Sequence, residues 1–158
     1  MRIRTLFLQL CLIVAVLIDL ALAIFAFWPL TGKMYTIYKN LATALLTGVG
    51  LYIIVVAFAF SCFIGWQLLR TIGKQLAFSE RAVQLLRRLK WGVGVIVAAM
   101  LLMLPQVYVI AQSEDAPGTI FFFGIFMMVP AVITVFLAIL QRLWQAALDY
   151  KTDSDLTV

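Results

Sequence analysis

Residues 6–28 read LFLQLCLIVAVLIDLALAIFAFW, an apolar run in which Asp19 is the one charged side chain. A hydrocarbon core about 30 Å thick is crossed by roughly 20 apolar residues rising about 1.5 Å each, so this run is long enough to span a membrane as a helix. Three further runs meet the same length: Leu45 to Leu69, Trp91 to Gln112 and Ile120 to Leu140. Hydrocarbon leaves no water to satisfy an isolated strand, so each run is expected to be helical. The expected fold is all-α, a polytopic membrane protein forming an up-down bundle of four transmembrane helices in a single domain over residues 1–158. Composition agrees. With 65% hydrophobic and 12% charged residues and a mean hydropathy of +1.10, a soluble fold would have more apolar surface than its interior could hide. No stretch outside the four runs is long enough for a separate soluble domain.

The first run has a basic start, Arg2 and Arg4, and a small-x-small triplet, Ala21-Leu22-Ala23, as a secretory signal would. A cleaved signal gives way to polar sequence, whereas here apolar residues continue from Ile24 to Trp28, which reads as an interfacial anchor. The run is therefore expected to remain as the first span.

The net charge of +5 matters less than where the charge lies. Ten of the twelve basic residues precede the first span, lie in the 70–90 loop or follow the fourth span; only Lys33 and Lys39 fall on the other side. The positive-inside rule then predicts both termini and the middle loop in the cytoplasm. The loop between spans three and four agrees, carrying Glu114 and Asp115 and no basic residue. Pro117 and Gly118 are expected to shape that loop as a tight turn, with glycine taking any positive φ. The other outer segment, Pro29 to Ala44, mixes Tyr35, Tyr38, Lys39 and Asn40 as a headgroup-level segment would.

The 70–90 loop carries the most information outside the spans. Ser79 is a candidate N-cap, Glu80 suits the positive end of a helix, and Phe78 is spaced to staple onto Val83. Downstream, Ala82, Leu85, Leu86 and Leu89 share one helical face, while Arg81, Gln84, Arg87, Arg88 and Lys90 fall mainly elsewhere. This predicts a basic amphipathic helix leading into span three. Its expected role is docking, either on anionic headgroups or in the groove of a cytoplasmic protein, through Phe78, Arg81, Arg87, Arg88 and Lys90. Direct nucleic-acid binding is not expected, because the helix is short, membrane-tethered and poor in interleaved aromatics.

Inside the membrane Asp19 stands out, since an intramembrane carboxyl is costly enough to be a functional candidate by default. Ala15 and Ala23 flank it at four-residue spacing, which predicts a small-residue face against another helix. No cation lies at its depth. The expectation is a neutral acid hydrogen-bonded to Tyr52, Gln106, Tyr108 or Thr134, with a proton-relay or cation site as the alternative. Other small-residue rows, Ala57-Ser61-Gly65 and Gly94-Ala98, predict helix contacts, and Pro105 and Pro130 predict kinks in spans three and four.

Catalytic chemistry finds few residues. There is no histidine, Cys11 and Cys62 are the only cysteines and no C-x-x-C occurs, so no metal site, cofactor or Ser-His or Cys-His pair is expected. The two thiols read as small packing residues rather than a disulfide. An enzyme is not expected.

Phe78-Ser79 followed by Val83 and Leu86, the basic run into span three, the turn Asp115-Ala116-Pro117-Gly118 and the terminal Asp155-Leu156-Thr157-Val158 together resemble the YoaS-like domain-of-unknown-function family of bacterial four-span membrane proteins. The resemblance covers roughly Leu69 to Val158. The family's tail commonly has an acidic residue and Asn before Asp-Leu-Thr, where this chain has Asp153 and Ser154. The resemblance implies a small bacterial inner-membrane protein often encoded beside a helix-turn-helix regulator of the Cro/repressor type, and it supplies no catalytic residues. The leading functional expectation is a non-enzymatic membrane regulator that docks a cytoplasmic partner through 78–90 and the tail 149–158. The alternative is a small transporter, channel or immunity-type protein that uses Asp19 inside the bundle.

Overall fold

A computed structural model describes residues 2–27, 29, 32–33, 41–73 and 79–156. Trp28, Lys74, Phe78, most of the outer segment 29–44 and the final Thr157 and Val158 lie outside the described residues, and with them the expected anchor, the staple and the end of the tail.

Among the described residues the chain forms four long helices: α1 (Arg2–Leu22, continued by a π-helical turn Ala23–Phe27), α2 (Leu41–Gly73), α3 (Glu80–Ser113) and α4 (Gly118–Leu156). All four are long and apolar enough to cross a membrane, and the architecture expected from hydropathy is the one observed. At about 1.5 Å per residue, α2, α3 and α4 are roughly 50, 51 and 58 Å long. Against a hydrocarbon core of about 30 Å, each has a surplus of several turns. The predicted amphipathic helix is not a separate element. It is the first three turns of α3, continuous with span three.

Neighbours in sequence are neighbours in space. Helix α1 packs on α2, α2 on α3 and α3 on α4, while α1 and α4 do not meet among the described residues. The four helices therefore stand in an open row with α1 and α4 at its edges. Burial follows this order. The spans in α2 and α3 are 39% and 33% buried, whereas those in α1 and α4 are 6% buried.

Small residues bring the backbones together, as they must where lipid competes equally for apolar surface. A Cβ on Gly92 would meet Ser61 Oγ at 2.5 Å, and one on Gly50 would meet Met103 Cγ at 2.6 Å, so both glycines admit the facing helix. The row Ala57-Ser61-Gly65 does make contacts. Ala57 and Ser61 are buried, and Gly65 faces Leu12 of α1 at ordinary contact distance. Ser61 Oγ donates to the Ala57 carbonyl at 2.7 Å, which satisfies a hydroxyl in an apolar environment. The row Gly94-Ala98 is corrected by the structure. Ala98 is exposed, Gly94 lies near Thr134 of α4, and the α3 face that meets α2 is Gly92, Ala99 and Met103.

The α3–α4 connection also differs in detail. Positive φ falls on Asp115 (φ 49°), no described glycine has one, and Gly118 starts α4. The Ala116 N–H donates to the Ala111 carbonyl at 3.0 Å, closing the helix end through a left-handed residue that a short polar side chain tolerates.

Candidate functional site

The start of α3 is built by its cap. Ser79 is extended (φ −128°, ψ 154°), its Oγ accepts from the Ala82 N–H at 3.3 Å, and its carbonyl accepts from Val83 N–H at 3.2 Å. From there the helix separates two kinds of side chain. Ala82 and Leu86 are 0% and 1% exposed, with Val83 and Leu85 also buried; Arg81, Gln84, Arg87 and Arg88 are exposed and Lys90 is half-buried. Leu86 packs with Val93 of α3 and Leu137 of α4, bordered by Leu68, Leu89, Leu140 and Trp144. The apolar stripe is thus covered by the protein's own helices. It is not available for a partner groove, and what α3 offers outward is its charged face.

Two polar grooves flank this charged ridge. One, of about 540 Å³, lies between α3 and α4 and is lined by Glu80, Val83, Gln84, Gln145, Leu148, Asp149, Thr152 and Asp153. Three carboxylates give it acidic character, although they do not gather as a metal-binding cluster. The other, of about 450 Å³, lies on the α2 side and is lined by Gln67, Glu80, Arg81, Gln84, Leu85 and Arg88. The expected tail from Asp149 is, through Leu156, the last part of α4 itself. Where the sequence predicts a tail over 149–158, Asp149 and Asp153 instead face Glu80 across the groove. The available signal was the four-residue spacing of Gln145, Asp149 and Asp153, which places them on one helical face.

Asp19 lies on α1 with Oδ2 buried and without a hydrogen-bond partner among the described residues. Its small-residue face does meet a helix, since Ala23 is buried and α1 packs on α2. None of the four expected partners bonds to it. Tyr108 Oη accepts from Gln112 Nε2 at 2.7 Å, and Thr134 Oγ1 donates to the Pro130 carbonyl at 2.8 Å. Gln106 is buried in the α2–α3 seam, at the level of buried Thr47 in the register set by Gly92 and Gly50, and Tyr52 lines a groove between α2 and α3. For Gln106, Tyr108 and Thr134 the open row explains this: among the described residues α1 touches α2 alone, so side chains of α3 and α4 stay out of reach. Both thiols are free. Cys62 is buried and lines a groove against α1, while Cys11 is exposed.

The model of the family described as "Protein of unknown function (DUF2975)" matches residues 30–158. The chain belongs to the DUF2975 family. It is similar to "Uncharacterized membrane protein YoaS" of Bacillus subtilis (strain 168), 32% identical over 158 residues that cover 99% of each chain. The likeness to this relative therefore reaches well beyond the 69–158 stretch that carries the sequence motifs. No solved structure matches the chain.

Proposed function

We propose that this membrane protein is a non-enzymatic docking protein of the bacterial inner membrane, both termini cytoplasmic, which holds a cytoplasmic partner on the ends of α2, α3 and α4. The observation that supports the reading is the length of these helices, several turns more than a hydrocarbon core of about 30 Å needs. Their shared apolar stripe is buried while Glu80, Arg81, Gln84, Arg87, Arg88, Asp149 and Asp153 remain on the surface. A rigid, charged helical platform suits a partner recognised by electrostatic complementarity rather than by an apolar groove. The acidic groove favours basic side chains, as on a DNA-binding regulator, which is also the partner that the family resemblance implies.

The test is photo-cross-linking from Gln84, and separately from Gln145, at native expression level. Capture of one soluble protein, lost when Arg81, Arg87 and Arg88 are neutralised and Asp149 and Asp153 are replaced by Asn and Gln respectively, supports docking. Capture of lipid or of the chain itself from both positions opposes it. The alternative, ion or proton movement, is favoured by Asp19 Oδ2, buried and without a hydrogen-bond partner among the described residues. Asp19→Asn collapses a flux and leaves docking intact.

A further inference from the structure

On the other side of the α2–α3 seam from α4, an apolar groove of about 830 Å³ runs along α2 past Leu45, Val49, Tyr52, Val56 and Phe60, closed on the α3 side by Trp91, Gly92 and Val95. This volume lies within the range of roughly 300–1,000 Å³ typical of ligand sites. From Leu45 to Phe60 the helix rises about 22 Å, more than the ~15 Å depth of one leaflet's hydrocarbon. The groove lined by Arg81 and Arg88 lies further along the same two helices. Arg81, Gln84 and Arg88 precede Trp91 and Val95 at three- and four-residue spacing, so all five stand on one face of α3. On α2, Gln67 lies in the same row, seven residues beyond Phe60 and eleven beyond Val56.

Trp91 is 66% exposed at the junction, where an indole marks the headgroup level of a membrane. Arg88 is placed one turn further out, about 4.5 Å along the axis, and Arg81 two turns beyond that. Neither arginine forms an ion pair with a described residue. Guanidinium groups bind phosphate oxygens through charge-assisted, often bidentate hydrogen bonds, and the amides of Gln67 and Gln84 add neutral donors. Glu80 closes the outermost end. Its carboxylate disfavours a second phosphate there and leaves room for a neutral or ammonium-bearing headgroup.

We propose that this seam binds one glycerophospholipid, an acyl chain lying along Val49, Val56 and Phe60 and the phosphodiester held between Arg88 and Arg81. Apolar length, interfacial tryptophan and paired guanidiniums follow each other along the seam in the order of the parts of a phospholipid. The site does not depend on any soluble partner.

The full chain, reconstituted in nanodiscs of phosphatidylethanolamine and phosphatidylglycerol at about 3:1, is to be extracted in mild detergent and weighed by native mass spectrometry. One retained phospholipid per chain is expected. Retention falls at least about tenfold in the double variant Arg81→Ala, Arg88→Ala and in Val56→Trp, which fills the groove. It persists in Arg87→Ala, which removes the same charge off this face. Both seam arginines are exposed, so the double variant keeps the fold, as circular dichroism of each variant verifies. Equal loss in Arg87→Ala would reduce the effect to diffuse attraction and overturn the proposal. So would retention unchanged in the double variant, displacement by inorganic phosphate as effective as by short-chain phosphatidylglycerol, or a dimer that Val56→Trp dissociates.

Discussion

Gly92 and Ser61 bring two helix backbones close together. They meet where α3 crosses α2, and no side chain larger than hydrogen fits at 92 without moving the Ser61 hydroxyl from its bond to the Ala57 carbonyl. Gly92→Val is expected to cost about 1–3 kcal/mol, the usual penalty of overpacking, read as a lowered unfolding midpoint in a denaturing-detergent titration; an unchanged midpoint would show that the seam does not close there. Asp19 is the opposite case, its Oδ2 buried without a hydrogen-bond partner among the described residues. If it serves packing alone, Asp19→Leu raises stability by about 1–3 kcal/mol, since a buried group without a partner is removed. A variant that is more stable and also inactive in a flux assay would instead assign Asp19 to transport, as stability is often given up at working sites.

At the scale of elements, α3 is one helix with two environments. From Glu80 to Lys90 it is amphipathic, with its apolar stripe against Leu68, Leu137 and Trp144; from Trp91 onward it is a membrane span. Leu86→Ala opens a cavity at the centre of that stripe and is expected to cost about 2–5 kcal/mol. Arg87→Ala, one residue along but exposed, is expected to stay within about 0.5 kcal/mol. Ser79→Ala removes the cap bond to Ala82 N–H and is expected to cost about 1 kcal/mol. The ordering of these three variants by equilibrium unfolding distinguishes a helix anchored by the protein from one that lies on lipid, for which Leu86→Ala would matter no more than Arg87→Ala. The cap, the helix start and the division into faces were legible in Ser79, Glu80 and the leucine spacing, because they depend on a few consecutive residues. What covers the leucines was not, because Leu68 and Leu137 come from other helices.

For the whole molecule, orientation is the first prediction. In a chain with Cys11 and Cys62 replaced by Ala, a single cysteine at Gln84 is expected to react with a membrane-impermeant maleimide in inverted vesicles and not in intact cells. Reaction in intact cells would place the charged platform outside and remove the case for a cytoplasmic partner. That the protein is an all-α membrane protein with four spans follows from its hydropathy alone, since hydropathy over about 20 residues is a one-dimensional property that a bilayer reads directly. The sequence also marked Asp19 and the charged residues of 80–90 as unusual. The open row of helices, the admission of α2 at Gly92 rather than Ala98, and the separation of Asp19 from Tyr108, Gln106 and Thr134 emerge from contacts between helices. The same is true of the facing of Glu80 by Asp149 across one groove. Helix order and rotation in lipid are set by which small residues let backbones approach, a pairwise matter between distant segments that no local pattern encodes.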